Sequence, residues 1–193
     1  MSHVFRSAGS AISDGGLIFE DALPLLWLPQ PLAAGSELAR LNADNHQLLG
    51  AESSLDEVRL NDVLKDESPA LLQELQRLEF KLNILLRLTA QVAMQNEALP
   101  PRCMVRLTAK GLEWEGAEEA PVGATGLLKL YINAALPQPL SLPCLVVAER
   151  HGAASRVAQM RFVGVSEVVA DLLEKLIFRH HRRLIAVSKH ATA

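Results

Sequence analysis

The stretch MVRLTAKG, Met104 to Gly111, decides how the chain is read. Val105 and Leu107 alternate with Arg106 and Thr108, a period of two that marks a half-buried strand, and Lys110-Gly111 supplies a turn. The same texture continues downstream. GLLKLYI (126–132), SLPCLVVAER (141–150) and SRVAQMRFV (155–163) read as further strands, separated by a loop from Asn133 to Pro139 and a turn at His151-Gly152. Four to six short strands at this spacing predict an antiparallel barrel or sandwich. A final helix is expected from near Ser166 through SEVVADLLEKLIFRHHRRLIA, burying Val169, Leu172, Leu173, Leu176 and Ile177 and packing across the barrel.

Upstream of the strands the period changes. Ser68-Pro69 sets an N-cap before a proline at the first helical position. From there Leu71, Leu75, Leu78, Leu82, Leu85, Thr89, Val92 and Asn96 alternate steps of four and three, a heptad seam. Such a stripe can lie on its own domain or on a partner helix. A second stripe, Phe80, Ile84 and Leu88, lets the helix bury one face at home and offer the other outward. Leu72, Leu86 and Leu88 widen the seam beyond a two-helix coil, toward a bundle of more helices. Thr89 and Asn96 at core positions restrict register and helix number at some cost in stability.

Further upstream, Leu38, Leu41 and Leu48 predict a helix from Ser36 with Gly50 as its stop, followed by a second helix from Ser54, where Ser54 and Glu57 form a capping box. The segment LIFEDALPLLWLPQP mixes strand formers with Pro24, Pro29 and Pro31, which confine a strand to an edge or to short pieces. The divisions expected are an N-terminal segment with an early strand (1–35), a helical, oligomerising insertion (36–98), and a β-rich portion with its terminal helix (99–193).

The chain has 193 residues, 49% of them hydrophobic, enough for a sizeable core. Its formal net charge of −3 gives no global attraction for nucleic acid or anionic lipid. No apolar run is long enough to insert in a membrane, and MSHVFRSAGSAISDGG lacks the pattern of a signal peptide, so a cytoplasmic location is expected. Cys103 and Cys144 have no metal or disulfide spacing and read as small buried hydrophobes.

The order of parts from Val105 to Ala186 resembles a PilZ domain, a small bacterial β-barrel that binds cyclic di-GMP. The resemblance is carried by VRLTAKGLEW (105–114), GLLKLYI (126–132), VAQMRFV (157–163) and LLEKLIFRHHRR (172–183). It implies an α+β fold: a small antiparallel barrel with a C-terminal helix. The helical middle resembles a subgroup of atypical PilZ proteins whose inserted heptad helix builds a tetrameric coiled-coil bundle, with the region Leu17 to Leu28 supplying an early barrel strand. Homo-oligomers, tetramers above trimers or antiparallel dimers, and a signalling, pilus or motility protein are the partners this implies.

In PilZ domains an RxxxR stretch upstream and a (D/N)xSxxG turn grip the dinucleotide, guanidiniums forking onto phosphate and glycine admitting it to the backbone. Here Gly111 keeps the glycine, Thr108 replaces the serine, and Arg106 stands where the family has an acid or asparagine. Arg102 and Arg106 have RxxxR spacing, but Arg106 lies inside the turn motif itself, whereas the family pair precedes that motif by a couple of dozen residues. Losing three charged contacts worth about 1.5–3 kcal/mol each would remove roughly 5–9 kcal/mol from a micromolar affinity of about −8 kcal/mol. Useful cyclic di-GMP binding is therefore not expected, the alternative being a non-standard site around Arg102 to Gly111. The N-terminal AISDGGLIF (11–19) imitates the motif's tail, yet the order of elements makes it a turn into an early strand.

No catalytic residues, metal ligands or cofactor are expected. There is no nucleophile elbow, zinc-protease helix or P-loop. Glu113, Glu115, Glu118 and Glu119 lie along a turn and read as surface carboxylates. His180 and His181 point about 100° apart on a helix and read as exposed. Arg179, Arg182 and Arg183 read as a solvated last turn complementing the helix dipole, with phosphate, membrane or an acidic partner as alternatives.

Overall fold

The structure is a computed structural model that describes residues 17–57, 99–116, 120–133, 138–151 and 156–190, together with 73–75, 77, 78, 80–82, 84, 85, 88 and 89. Eight elements follow one another: β1 (Phe19–Pro29), α1 (Gly35–Glu57), β2 (Arg102–Leu107), β3 (Gly111–Glu115), β4 (Thr125–Leu130), β5 (Leu140–His151), β6 (Arg156–Phe162) and α2 (Glu167–His190). The described residues between 73 and 89 are helical too.

The six strands close into a barrel in the order β1-β2-β3-β6-β5-β4, every pairing antiparallel. Alternation fills it: Leu23, Leu25, Trp27, Val105, Leu107, Leu112, Trp114, Leu128, Leu130, Leu142, Val146 and Met160 are all buried. Each apolar side chain of this size stabilises by about 1.5–3 kcal/mol on leaving water. A closed ring leaves no edge to pair with strangers.

β1 corrects the expectation drawn from its prolines, because it is one strand of 11 residues in the ring. Its first half, Phe19 to Pro24, pairs with β2, and its second half, Leu25 to Pro29, pairs with β4. Pro24 stands where the strand changes partner, so its missing N–H interrupts neither ladder. Its carbonyl still accepts from Tyr131 N at 3.1 Å, and Leu25 N donates to Pro101 O at 3.4 Å. Trp27 lies over Gly126 on β4, where a methyl would sit 2.4 Å from the Leu28 carbonyl oxygen and 2.6 Å from the indole.

α1 runs through Gly50 without stopping, so one helix replaces the expected two. Glycine costs a helix about 1 kcal/mol, and burial of Leu41, Leu48 and Leu49 outweighs it. Two asparagines on α1 tie it to the barrel. Asn45 donates to Ser141 O at 2.9 Å and accepts from Ser141 N at 2.8 Å, taking the place of a neighbouring strand. Asn42 donates to Gly164 O at 2.9 Å and accepts from Ser166 N at 2.9 Å. Gly164, with a positive φ of 73°, makes the turn from β6 into α2.

α2 starts as expected, with Ser166 Oγ accepting from Val169 N. Val169, Leu173, Leu176 and Ile177 are buried, and Leu172 is partly so. Arg182 and Arg183 are exposed as expected, whereas Arg179 and the two histidines are half-buried and correct the reading of an exposed turn. The half-buried His180 ring packs on Phe19 at 3.9 Å between centroids. Arg179 bonds Glu52, buried on α1, and the Ser53 hydroxyl, clamping the two helices together. Among the described residues no helix is long and apolar enough to cross a membrane.

Candidate functional site

β2 and β3 form the hairpin that carries the motif. Thr108 makes its turn: the backbone N–H donates to Gly111 O at 2.9 Å, while the hydroxyl accepts from Gly111 N at 3.1 Å. The hydroxyl also lies 3.1 Å from Gly111 O and takes a longer bond from Lys110 N. Thr108 and Gly111 are thus brought together, and both shape the hairpin.

This turn sets Arg106 directly opposite Glu113. Val105 and Leu107 face inward, so Arg106 stands on the outer wall, where Nη1 donates to Glu113 Oε2 at 2.9 Å. The other carboxylate oxygen accepts from Gln159 Nε2 on β6, also at 2.9 Å. On the opposite side Glu20 of β1 faces Arg106 in register, its carboxylate 3.8 Å from Nε. Glu20, Arg106, Glu113 and Gln159 therefore make a polar row across four adjacent strands.

Glu113 is not the surface carboxylate expected, since it lies on β3 and is 3% exposed. Gln159 is buried as well. A buried carboxylate needs a paired charge and filled lone pairs, and the row supplies both. Sequence reasoning missed Glu113 and Gln159 because it ended the β2 strand at a turn and did not continue into β3. Treating Thr108 to Gly111 as a hairpin turn would have put 106 opposite 113.

Arg102, at the start of β2, places Nη1 3.3 Å from Ala22 O on the exposed surface. It shares the outer face with Arg106 about 13 Å away along the strand. Burial pushes the Cys144 thiol up, beyond the range in which it ionises in water, against a smaller lowering by a backbone hydrogen bond. Among the described residues no group of three or more His, Cys, Asp or Glu side chains is placed to hold a metal ion.

The heptad residues form the second candidate surface. Leu78, Leu82 and Leu85 are 55–58% exposed in the single chain, and Leu75 is half-buried. Thr89 is exposed, its hydroxyl bonded to Leu85 O at 2.9 Å. Leu71, Val92 and Asn96 lie outside the described residues. The second stripe is not covered at home as expected: Phe80, Ile84 and Leu88 are exposed too.

A family model described as "Atypical PilZ domain, cyclic di-GMP receptor" matches residues 49–190. The chain belongs to the atypical PilZ family. This atypical PilZ protein is similar to a crystal structure of a pathogenic protein from Xanthomonas campestris, described as a new tetrameric PilZ domain self-assembled via an unusual helical bundle. The two share 26% identity with a TM-score of 0.72, over 91% of this chain and 93% of that one. No curated protein matches the sequence. The resemblance read from the order of strands and the α+β barrel with its terminal helix both hold for this atypical PilZ chain.

Proposed function

We propose that the chain is a non-catalytic, self-assembling PilZ module that works through protein contacts and does not bind cyclic di-GMP usefully at its motif position. The Arg106–Glu113 pair carries this reading. An arginine that must grip phosphate has to leave Glu113, and stranding a buried carboxylate costs about 3 kcal/mol, which is more than a hundredfold in affinity. Thr108 and Gly111 offer little in return, since their polar groups close the turn.

Self-assembly rests on the exposed leucines of the heptad seam and on the likeness to the Xanthomonas tetramer. A helix exposing Leu78, Leu82 and Leu85 together with Phe80 and Leu88 is stable in water once neighbours cover it. Four copies give a bundle whose core takes the wide seam.

The family's description as a cyclic di-GMP receptor favours a second reading, in which the dinucleotide binds at a non-standard site around Arg102 to Gly111. Calorimetric titration with cyclic di-GMP, combined with light scattering, separates the two. The adaptor reading expects a tetramer mass and no saturable heat at micromolar ligand. Micromolar binding abolished by Arg102→Ala establishes the receptor reading instead.

A further inference from the structure

The outer face of α2 exposes apolar side chains beside cations. Its inner face is spent on Val169, Leu173, Leu176 and Ile177, while Phe178 and Ile185 on the opposite side are 50% and 43% exposed. Residues 178, 182 and 185 fall at i, i+4 and i+7, on one line of the helix. Arg182 lies between the two apolar side chains, its guanidinium carbon 5.9 Å from the centre of the Phe178 ring.

Charge on this helix is divided. Glu167, Asp171 and Glu174 occupy its first two turns, and from Lys175 to the end of the chain there are five Lys or Arg and no carboxylate. The helix dipole accounts for that polarity in charge. It gives no reason for an exposed phenylalanine and isoleucine beside the cations. Arg179 is turned to Glu52, while Lys175 and Arg182 are exposed.

We propose that the α2 face formed by Phe178, Arg182 and Ile185 docks an acidic amphipathic helix of a partner protein, apolar side chains seating Phe178 and Ile185 and carboxylates meeting Arg182 and Lys175. Charge complementarity selects the occupant: a basic face interrupted by apolar side chains needs a partner that carries acid and hydrocarbon at the same spacing. A membrane surface fits less well. Helices lying on lipid keep their cations on the face opposite or flanking the apolar strip. Here Arg182 sits inside the strip and would be carried toward the acyl chains. The proposal gives the adaptor reading its partner chemistry and rests on it.

The test uses the full chain and a labelled synthetic helix with leucines at i and i+7 and glutamates at i+3 and i+4. A peptide of the same length with lysines in place of the glutamates and phosphatidylglycerol vesicles accompany it. Saturable binding of the acidic peptide is expected, weakened at least tenfold by Phe178→Ala and by Arg182→Glu, with no binding of the lysine peptide and no flotation with vesicles. Equal binding of both peptides, insensitivity to the two substitutions, or vesicle recruitment that Arg182→Glu abolishes overturns it. Circular dichroism and light-scattering mass of the variants are read in parallel. An unchanged tetramer mass with lost peptide binding separates this surface from the assembly reading.

Discussion

Arg106 and Glu113 face each other across the β2–β3 hairpin, one charge half-covered and the other buried, 2.9 Å apart. Removing one partner leaves the other charged in a dry place. Arg106→Ala is expected to lower the free energy of unfolding by about 3 kcal/mol, measured by urea denaturation. The double replacement Arg106→Met with Glu113→Leu should lose less than Arg106→Ala alone, because it strands no charge.

Leu78→Glu with Leu82→Glu puts carboxylates on the heptad seam. The mass in light scattering should fall toward that of the monomer, while the near-ultraviolet dichroism of the barrel tryptophans, Trp27 and Trp114, stays as it was. An unchanged mass refutes assembly through these residues.

Asn45→Ala removes both bonds to Ser141 and leaves that backbone N–H and carbonyl without their side-chain partner. A loss of about 1–3 kcal/mol is expected. Faster hydrogen exchange at the Ser141 amide, with little change at Leu112 in the core, would locate the loss.

The buried Cys144 thiol is held neutral by its surroundings. A thiol reagent at pH 8 should modify Cys103, which is partly exposed, and reach Cys144 only on unfolding. The linkage has a definite sign. The folded state holds this proton more tightly than the unfolded chain, so the stability it contributes is complete below the ordinary thiol range and declines as pH rises above it.

Gly126→Ala drives a methyl against the Leu28 carbonyl and the Trp27 ring. Backbone cannot yield there without opening the β1–β4 ladder. Overpacking of this kind costs about 1–3 kcal/mol or more, visible as a fall in Tm and a change in tryptophan fluorescence.

Sequence periodicity displayed the parts of this fold that depend on repeated local choices. The alternation at Val105 and Leu107, the Ser166 cap and the apolar spacing of α2 all have local causes. What periodicity could not show was set by distant neighbours. Pro24 is harmless only because β4 takes over from β2 at that residue, and Gly50 stays helical only because Leu48 and Leu49 on one side and the Glu52–Arg179 pair on the other hold the chain down. The candidate site divides in the same way. Thr108 and Gly111 are legible as a turn, whereas the commitment of Arg106 depends on Glu113 and Gln159, which register brings together from three strands.

Because both neighbours of β1 lie beyond residue 100, its order of synthesis and its order of pairing are opposed. β1, carrying Leu23, Leu25 and Trp27, finds no ladder until β2 has been made, which ends at Leu107, 78 residues after Pro29. It must cross that interval with two open edges, the condition under which nascent chains aggregate or recruit chaperones. The stretch of chain between β1 and β2 is therefore also a delay line, lengthening the time before the ring can shut.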